Sequence, residues 1–327
     1  ALSLGVKDYP DVPRKIHDKP LPKLGGVAIF LSFVLGLAAL AILGFTDEIS
    51  PLRLAGLVFG GIVLIIGGIL DDKYDLSPGR QIWFPVVAAL LVVLSGTHIS
   101  YITNPLGHPV ILDQYKVWSY PVFGSLLVFA WVLGMTYTTK FLDGMDGLVA
   151  GICGIAGLVI FGLSLAPAVN QTTTAFLALI LAAAAFGFLP FNFHPAKIFL
   201  GEGGSTFTGF MIAVLAVISG GKIATALLVL GIPVLDAAWV IVRRLWFRSS
   251  PFVGDKKHLH FRLLDIGFTQ RQAVLLLYIL ALAFGGVAVF LQSVGKLVAL
   301  MILSVVMLIV AMGIAYVYRS RYSKKQV

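Results

Sequence analysis

Residues 52–75, LRLAGLVFGGIVLIIGGILDDKYD, decide the architecture. An apolar run over 52–70, interrupted only by Arg53, ends without a break in three acids among five residues: Asp71, Asp72 and Asp75. A run of about 20 mostly apolar residues is what a helix needs to cross a bilayer, and the abrupt change of character marks its end. The pattern recurs throughout the chain. Of 327 residues, 59% are hydrophobic and only 12% are charged, and the mean hydropathy is +0.98. Soluble domains carry roughly 25% charged residues, so a soluble enzyme is excluded. The apolar residues lie in long runs rather than short repeats, which excludes a disordered or fibrous chain. The sequence predicts an all-α polytopic membrane protein forming one integral membrane domain over 1–327.

Spans are expected at 24–45, 52–70, 81–96, 121–139, 147–166, 172–191, 205–219, 222–242, 271–291 and 294–318. Ten spans put both termini on one side, together with 70–80, 140–146, 192–204 and 243–270. That side holds 20 of the 24 Lys and Arg, and the other only Arg53, Lys116, Lys222 and Lys296. Lysine and arginine in short loops face the cytoplasm, so the first side is expected to be cytoplasmic. The net charge of +9 is then a topology signal and implies no nucleic acid. The single cysteine, Cys153, lies in an apolar run and allows no intrachain disulfide. Acids follow no such rule, yet 11 of 15 lie on the same side, with four of the six histidines. One membrane face thus carries nearly all the residue types that do chemistry. A water-soluble cytoplasmic substrate met at the bilayer surface follows. The outer loop 97–120 reads as a short hairpin without a catalytic role.

Five blocks on that face stand out. Residues 13–26, PRKIHDKPLPKLGG, place Arg14, Lys15, His17 and Lys23 among prolines just before a span. Basic groups on such an extended strap could hold phosphate, and a solvated topology signal is the plainer reading. Asp71 and Asp72 at a span end repel each other and invite a cation; Mg²⁺ takes one or two carboxylates plus substrate phosphates. In 140–147, KFLDGMDG, Asp143 and Asp146 point one way whether the segment is helical or a tight glycine turn. In 192–205, NFHPAKIFLGEGGS, Asn192 and Lys197 precede a glycine-rich entry to a span. That entry could offer N–H groups to phosphate, with Glu202 beside it for a metal. In 255–262, DKKHLHFR, His258 and His260 share a side if extended; amid Lys and Arg they look more like a pyrophosphate grip, with Arg262, than a zinc site. Asp236 falls within a span, where an ionisable residue is by default functional or partnered.

Taken in order, these blocks resemble the polyprenyl-phosphate N-acetylhexosamine-1-phosphate transferases of the glycosyltransferase family 4 type, over nearly the whole chain. The matching pieces are Arg14-Lys15-x-His17 with Pro20, Pro22 and Gly25-Gly26; Asp71-Asp72; Asp143-Gly-Met-Asp146-Gly; Phe191-Asn192 with Pro195-Ala-Lys-Ile-Phe; Gly201-x-Gly203-Gly204-Ser205; Pro233-x-x-Asp236; and Asp255-x-x-His258-x-His260. The forms of the first and last motifs look more like the UDP-GlcNAc branch than the lipid I-forming branch that uses UDP-MurNAc-pentapeptide. Three departures stand out. The family branch has one more span ahead of Arg14, where only Ala1–Val6 stands here. Lys140 replaces a usual Asn, and Glu202 replaces a usual Asp.

The resemblance implies transfer of N-acetylhexosamine-1-phosphate, GlcNAc-1-phosphate foremost, from a UDP-N-acetylhexosamine to undecaprenyl phosphate. UMP is released, with Mg²⁺ (or Mn²⁺) as cofactor, in a bacterial cytoplasmic membrane; a homodimer is compatible with it. Glu202 with Asp71 or Asp72 is expected to hold the metal. The other of that pair would orient or deprotonate the acceptor phosphate, or form a covalent intermediate. Asp143 and Asp146 belong to the nucleotide side. Arg14, Lys15, His17, Lys23, Lys140, Asn192, Lys197, His258, His260 and Arg262 are expected to bind substrate. Two rivals come from other classes. A CDP-alcohol phosphotransferase needs an Asp-Gly-x-x-Ala-Arg start that is missing after Asp143. A secondary transporter would place ionisable groups near mid-membrane, where only Asp236 comes close.

Overall fold

The computed structural model describes residues 6–8, 20–102, 104, 107–118, 120–167, 169–219, 223–246 and 258–323. Arg14, Lys15, His17 and Asp255 lie outside the described residues. The helices are α1 Gly25–Ile42, α2 Pro51–Tyr74, α3 Pro78–Gln81, α4 Trp83–Leu94, α5 Val122–Leu142, α6 Leu148–Leu165 and α7 Thr172–Asn192, then α8 Gly201–Ile218, α9 Ile223–Val229, α10 Gly231–Trp246, α11 Leu259–Asp265, α12 Gln270–Phe290 and α13 Ser293–Ser323. Three antiparallel ribbons complete the description. They are β1 Lys7–Asp8 with β2 Leu21–Pro22, β3 Tyr101–Ile102 with β4 Val110–Ile111, and β5 Lys116–Val117 with β6 Tyr120–Pro121.

Among the described residues every run expected to span is built on helix, so the chain is an all-α polytopic membrane protein. Seven helices among the described residues, α1, α2, α5, α6, α7, α8 and α12, are long and apolar enough to cross a bilayer. Three expectations change in detail. The runs at 81–96 and 294–318 contain shorter apolar stretches, Pro78–Leu94 and Val294–Val310. The run at 222–242 is not straight: α9 and α10 meet at Leu230 with a bend of 84°. Pro233 is the cause in the sequence, since it has no N–H to return to the carbonyl of Val229 and its ring crowds that turn.

Helix α8 is the axis of the bundle. Phe207, Phe210, Met211, Ile212 and Ala213, which together cover all its faces, are each 0% exposed. It rests on α1, α2 and α5, while α6 fills the space between α7 and α12. The outer helices keep large apolar side chains on their surfaces, including Leu35, Ile42 and Phe290, as lipid-facing helices do. Glycines set how closely α8 is held. A Cβ on Gly68 of α2 would run into the backbone of Gly203, and one on Gly26 of α1 into the backbone of Gly204. Gly203 and Gly204, in the first turn of α8, are therefore packing residues.

Candidate active site

The site is built around the first turn of α8. Its N-cap residue, Leu200, supplies no side-chain hydrogen bond. The N–H of Glu202 instead donates to Asp72 Oδ2 at 3.0 Å, so an acid from the last turn of α2 caps a neighbouring helix. Carboxylates are favoured at a helix N-terminus by the dipole and the unpaired N–H groups. Gly201 makes the approach possible: its φ is +77°, and a Cβ there would strike the carbonyl of Lys23 and the Asp72 carboxylate. The other oxygen of Asp72 lies 3.6 Å from Lys23 Nζ. Backbone bonds from Gly25 to Phe199 (3.1 Å) and Gly26 to Leu200 (2.8 Å) lock the start of α1 to the same spot.

Beside this cap, four side chains form a line. Glu202 Oε1 lies 2.6 Å from Lys140 Nζ in the last turn of α5. The same Nζ donates to Gln81 Oε1 at 2.9 Å. Gln81 Nε2 donates to Asp71 Oδ1 at 2.6 Å, and that oxygen also accepts the N–H of Leu76 at 2.9 Å. The two family departures, Lys140 and Glu202, are thus direct partners.

Asp143 follows α5 and differs from its neighbours. It keeps a solvent-exposed edge, and among the described residues its carboxyl makes no side-chain hydrogen bond or ion pair. Partial desolvation by the surrounding protein, then repulsion from Glu202 and Asp72, raises its pKa above the usual carboxylate range, partly countered by Lys23. Asp146 is engaged: its Oδ2 meets His194 Nδ1 at 2.8 Å and accepts from the N–H of Ala196 at 3.1 Å. Arg271 of α12 donates to the His194 carbonyl at 3.0 Å.

The histidines 258 and 260 lie side by side as expected, though not on an extended segment. His258 precedes α11 and His260 is inside it; their rings stack at 5.6 Å and 9°. Both rings are buried. His258 is held at 2.8 Å by Asp236, which also accepts the N–H of Leu259 at 2.9 Å. His260 is 1% exposed and presses on Gly144, and among the described residues its Nε2 has no hydrogen-bond partner. Desolvation outweighs nearby Asp236 and lowers its pKa to about 4, so it is neutral at neutral pH.

Other expectations sort plainly. Asn192 is buried, and its amide serves backbone groups: Oδ1 accepts from Gly147 N at 3.1 Å and Nδ2 donates to the Ile198 carbonyl at 2.9 Å. It braces the turn that carries Asp143 and Asp146 and does not present a substrate-binding group. Lys197 is exposed and Arg262 partly so. Gln81 was not expected at all. Its signal in the sequence is a polar amide ten residues after Asp71, at the first position of the run 81–96. Asp236, the ionisable residue within a span, has His258 as its partner.

The metal expectation needs refinement. Among the described residues no group of three or more His, Cys, Asp or Glu could hold an ion by itself. Glu202, Asp71 and Asp72 each have a protein partner already. The carboxylate without one is Asp143, crowded by like charges that a cation would relieve. That donor set fits Mg²⁺ held by one or two carboxylates and shared with phosphates.

Residues 54–220 match the model of glycosyl transferase family 4. The chain is 32% identical to the "Probable undecaprenyl-phosphate N-acetylglucosaminyl 1-phosphate transferase" of Bacillus subtilis, covering 90% of this chain and 79% of that one. It is 33% identical to the decaprenyl-phosphate N-acetylglucosaminephosphotransferase of Mycolicibacterium smegmatis, over 95% and 82% of the two chains. It is 29% identical to the undecaprenyl-phosphate alpha-N-acetylglucosaminyl 1-phosphate transferase of Salmonella typhimurium, over 88% and 77%. The matched segment runs from α2 to the end of α8 and contains the cap, the four-residue line and both turn aspartates, and on this ground the chain belongs to glycosyl transferase family 4.

Proposed function

We propose that the chain transfers GlcNAc-1-phosphate from UDP-GlcNAc to undecaprenyl phosphate and releases UMP. The observation that carries this reading is the meeting of Asp71, Asp72, Glu202, Lys23 and Lys140 at one end of the membrane spans, with Asp143 beside them. A lipid phosphate and a water-soluble nucleotide sugar can both reach that level. The relatives named above support the same reaction class. The 20-to-4 division of Lys and Arg supports placing this end on the cytoplasmic side of a bacterial inner membrane, where UDP-sugars are made.

An oxygen of the acceptor phosphate attacks the β-phosphorus of the UDP-sugar. The bond from that phosphorus to the bridging oxygen breaks, and UMP leaves with the bridging oxygen. The acceptor monoester has a second pKa near 6 and is mostly dianionic at pH 7, so no strong base is required. The difficulty is bringing two anions together. Lys23 and Lys140 bring fixed positive charge to the level where the anions meet. Asp72 faces Lys23 directly and Asp71 reaches Lys140 through Gln81, and one of this pair orients the acceptor. Asp146, fixed by His194 and Ala196, shapes the nucleotide side. Mg²⁺, held by Asp143 with Glu202 and by the substrate phosphates, would neutralise charge that develops on the transferring group.

Purified protein in detergent, undecaprenyl phosphate, Mg²⁺ and a panel of UDP-sugars test the proposal by UMP release. Turnover is expected with UDP-GlcNAc and only when lipid phosphate is present. Preference for UDP-MurNAc-pentapeptide would reassign the donor. No UMP from any UDP-sugar would overturn the reaction.

A further inference from the structure

Gln81 stands between two groups of opposite charge. Its Nε2 donates to Asp71 Oδ1 at 2.6 Å, and its Oε1 accepts from Lys140 Nζ at 2.9 Å. That Nζ also lies 2.6 Å from Glu202 Oε1. Side chains from α2, α3, α5 and α8 are therefore joined in one run: Asp71, Gln81, Lys140, Glu202. A primary amide suits the middle position because it donates at one end and accepts at the other. The two ends cannot be exchanged. With the amide turned over, its carbonyl would face a carboxylate and its NH₂ an ammonium. The charges on either side fix its orientation, and it fixes theirs. Lys140 and Glu202 are about one-fifth exposed, a setting in which charge-assisted hydrogen bonds count for more than in open water. Asp71, Gln81 and Glu202 also line one small recess, whose other walls include Gly67, Gly68 and Phe84.

We propose that Gln81 is a positioning residue for the transfer reaction. It keeps Lys140 seated on Glu202 and holds Asp71 at a set distance, so that one fixed cation serves both carboxylates. The inference rests on the transferase reading above. Without Gln81, Lys140 keeps Glu202 and the face of the Tyr137 ring, and Asp71 keeps the N–H of Leu76. Both charges remain but their geometry loosens. The effect then falls on turnover and not on donor binding, because Gln81 acts through Lys140 and Asp71.

The test uses the full chain in detergent with Gln81→Leu, Gln81→Glu, Lys140→Gln and the exchange Q81K/K140Q. UMP release gives kcat and KM for each substrate, and melting midpoints are read on the same samples. Gln81→Leu is expected to lose about ten-fold in kcat, with donor KM within about two-fold and the midpoint nearly unmoved. Gln81→Glu keeps an acceptor for Lys140 but sets a second carboxylate against Asp71, and should lose more. The exchange keeps one cation between the same two carboxylates. Its kcat should exceed the product of the two single losses by about three-fold or more, as contacting residues couple. Wild-type kcat in both Gln81 variants overturns the proposal, and so do strictly additive losses in the exchange. If the wild-type chain releases no UMP from any UDP-sugar, the transferase reading fails separately. The positioning role, which rests on that reading, falls with it.

Discussion

Two acids in this chain do the same local job with different consequences. Helices α7 and α8 both begin without a side-chain cap from their own N-cap residue, and each is capped by a carboxylate from a neighbouring segment. At one end of the bundle Glu48 spends both oxygens on α7, accepting from Thr172 N at 3.2 Å and Thr173 N at 2.9 Å. At the other end Asp72 spends one oxygen on α8 and turns the second toward Lys23. Asp72 has Asp71 and Glu202 as like-charged neighbours, and Glu48 follows Asp47 in the chain, so the two caps differ in what their second oxygen meets. The helix dipole explains both caps. The difference lies in the oxygen that Asp72 leaves for a cation and Glu48 does not. A cap that saturates its carboxylate serves the fold.

The largest expected effect breaks this comparison at its charged end. Asp72→Asn keeps an oxygen to accept the Glu202 N–H, so α8 stays capped, but it removes the charge that Lys23 faces. Turnover should fall by roughly 10²–10⁴-fold, the range for a positioned catalytic group, with the melting midpoint little changed. An active Asp72→Asn variant would reduce Asp72 to the status of Glu48.

The next effect concerns the packing that places Asp72. Gly68→Ala would drive a methyl group into the backbone of Gly203. Overpacking costs typically 1–3 kcal/mol and sometimes more, and here the obstacle is main chain that cannot rotate away. A drop of about 3 kcal/mol in stability is expected, with activity lost alongside it. Gly134→Ala in α5 is the control. Nothing lies within 4 Å of its Cβ position, so it should be neutral or gain up to about 1 kcal/mol from helix propensity. Equal effects of the two substitutions would contradict the close approach of α2 and α8.

These contrasts mark what the sequence could show. The spans were legible because apolar runs of membrane length have few other uses. The gathering of Asp71, Asp72, Asp143, Asp146 and Glu202 at one end followed from counting which side of each span carried charge. The pairing of Lys140 with Glu202 was within reach because both depart from the family pattern, in blocks that share a membrane face. Other features exist only in three dimensions. Gln81 looks like any polar residue in a short link until Asp71 and Lys140 are placed around it. Asn192 reads as a site residue because it flanks the motifs, yet its amide is used up on Gly147 and Ile198. Gly203 and Gly204 resemble a phosphate turn, because glycine's freedom and glycine's smallness leave the same letter in the sequence.

Acid sharpens the contrast between the two ends through His260. An unfolded chain protonates this ring near 6.5, whereas the folded protein does so only near 4. Between these values the unfolded state binds more protons, so stability rises with pH and falls on acidification. The loss should be complete by about pH 4 and absent above about pH 6.5. The shift corresponds to about 3 kcal/mol. Melting midpoints of wild type and His260→Gln from pH 7 to pH 4.5 isolate the contribution, since the carboxylates common to both cancel. The wild-type midpoint should fall more steeply. Parallel curves would mean that His260 is not desolvated in the fold.

The smallest effect tests the saturated cap itself. Glu48→Gln keeps one carbonyl oxygen for the N-terminus of α7 but removes the negative charge and one of the two acceptors. Charge at a helix N-terminus is worth about 0.3–1 kcal/mol at an exposed position, and loss of a cap about 1 kcal/mol. The bond from Thr173 Oγ1 to the Phe45 carbonyl, 2.9 Å, still ties the loop before α2 to the start of α7, so the damage should stay local. A stability loss near 1 kcal/mol is expected, with kcat and both KM values unchanged, because all three groups lie at the end of the bundle away from Asp72 and Lys140. Raised salt should shrink the difference from wild type, since a dipole interaction at a wet helix end is screened. A fall in kcat without a fall in stability would mean that the two ends communicate, and that a saturated carboxylate is not a sufficient mark of a structural one.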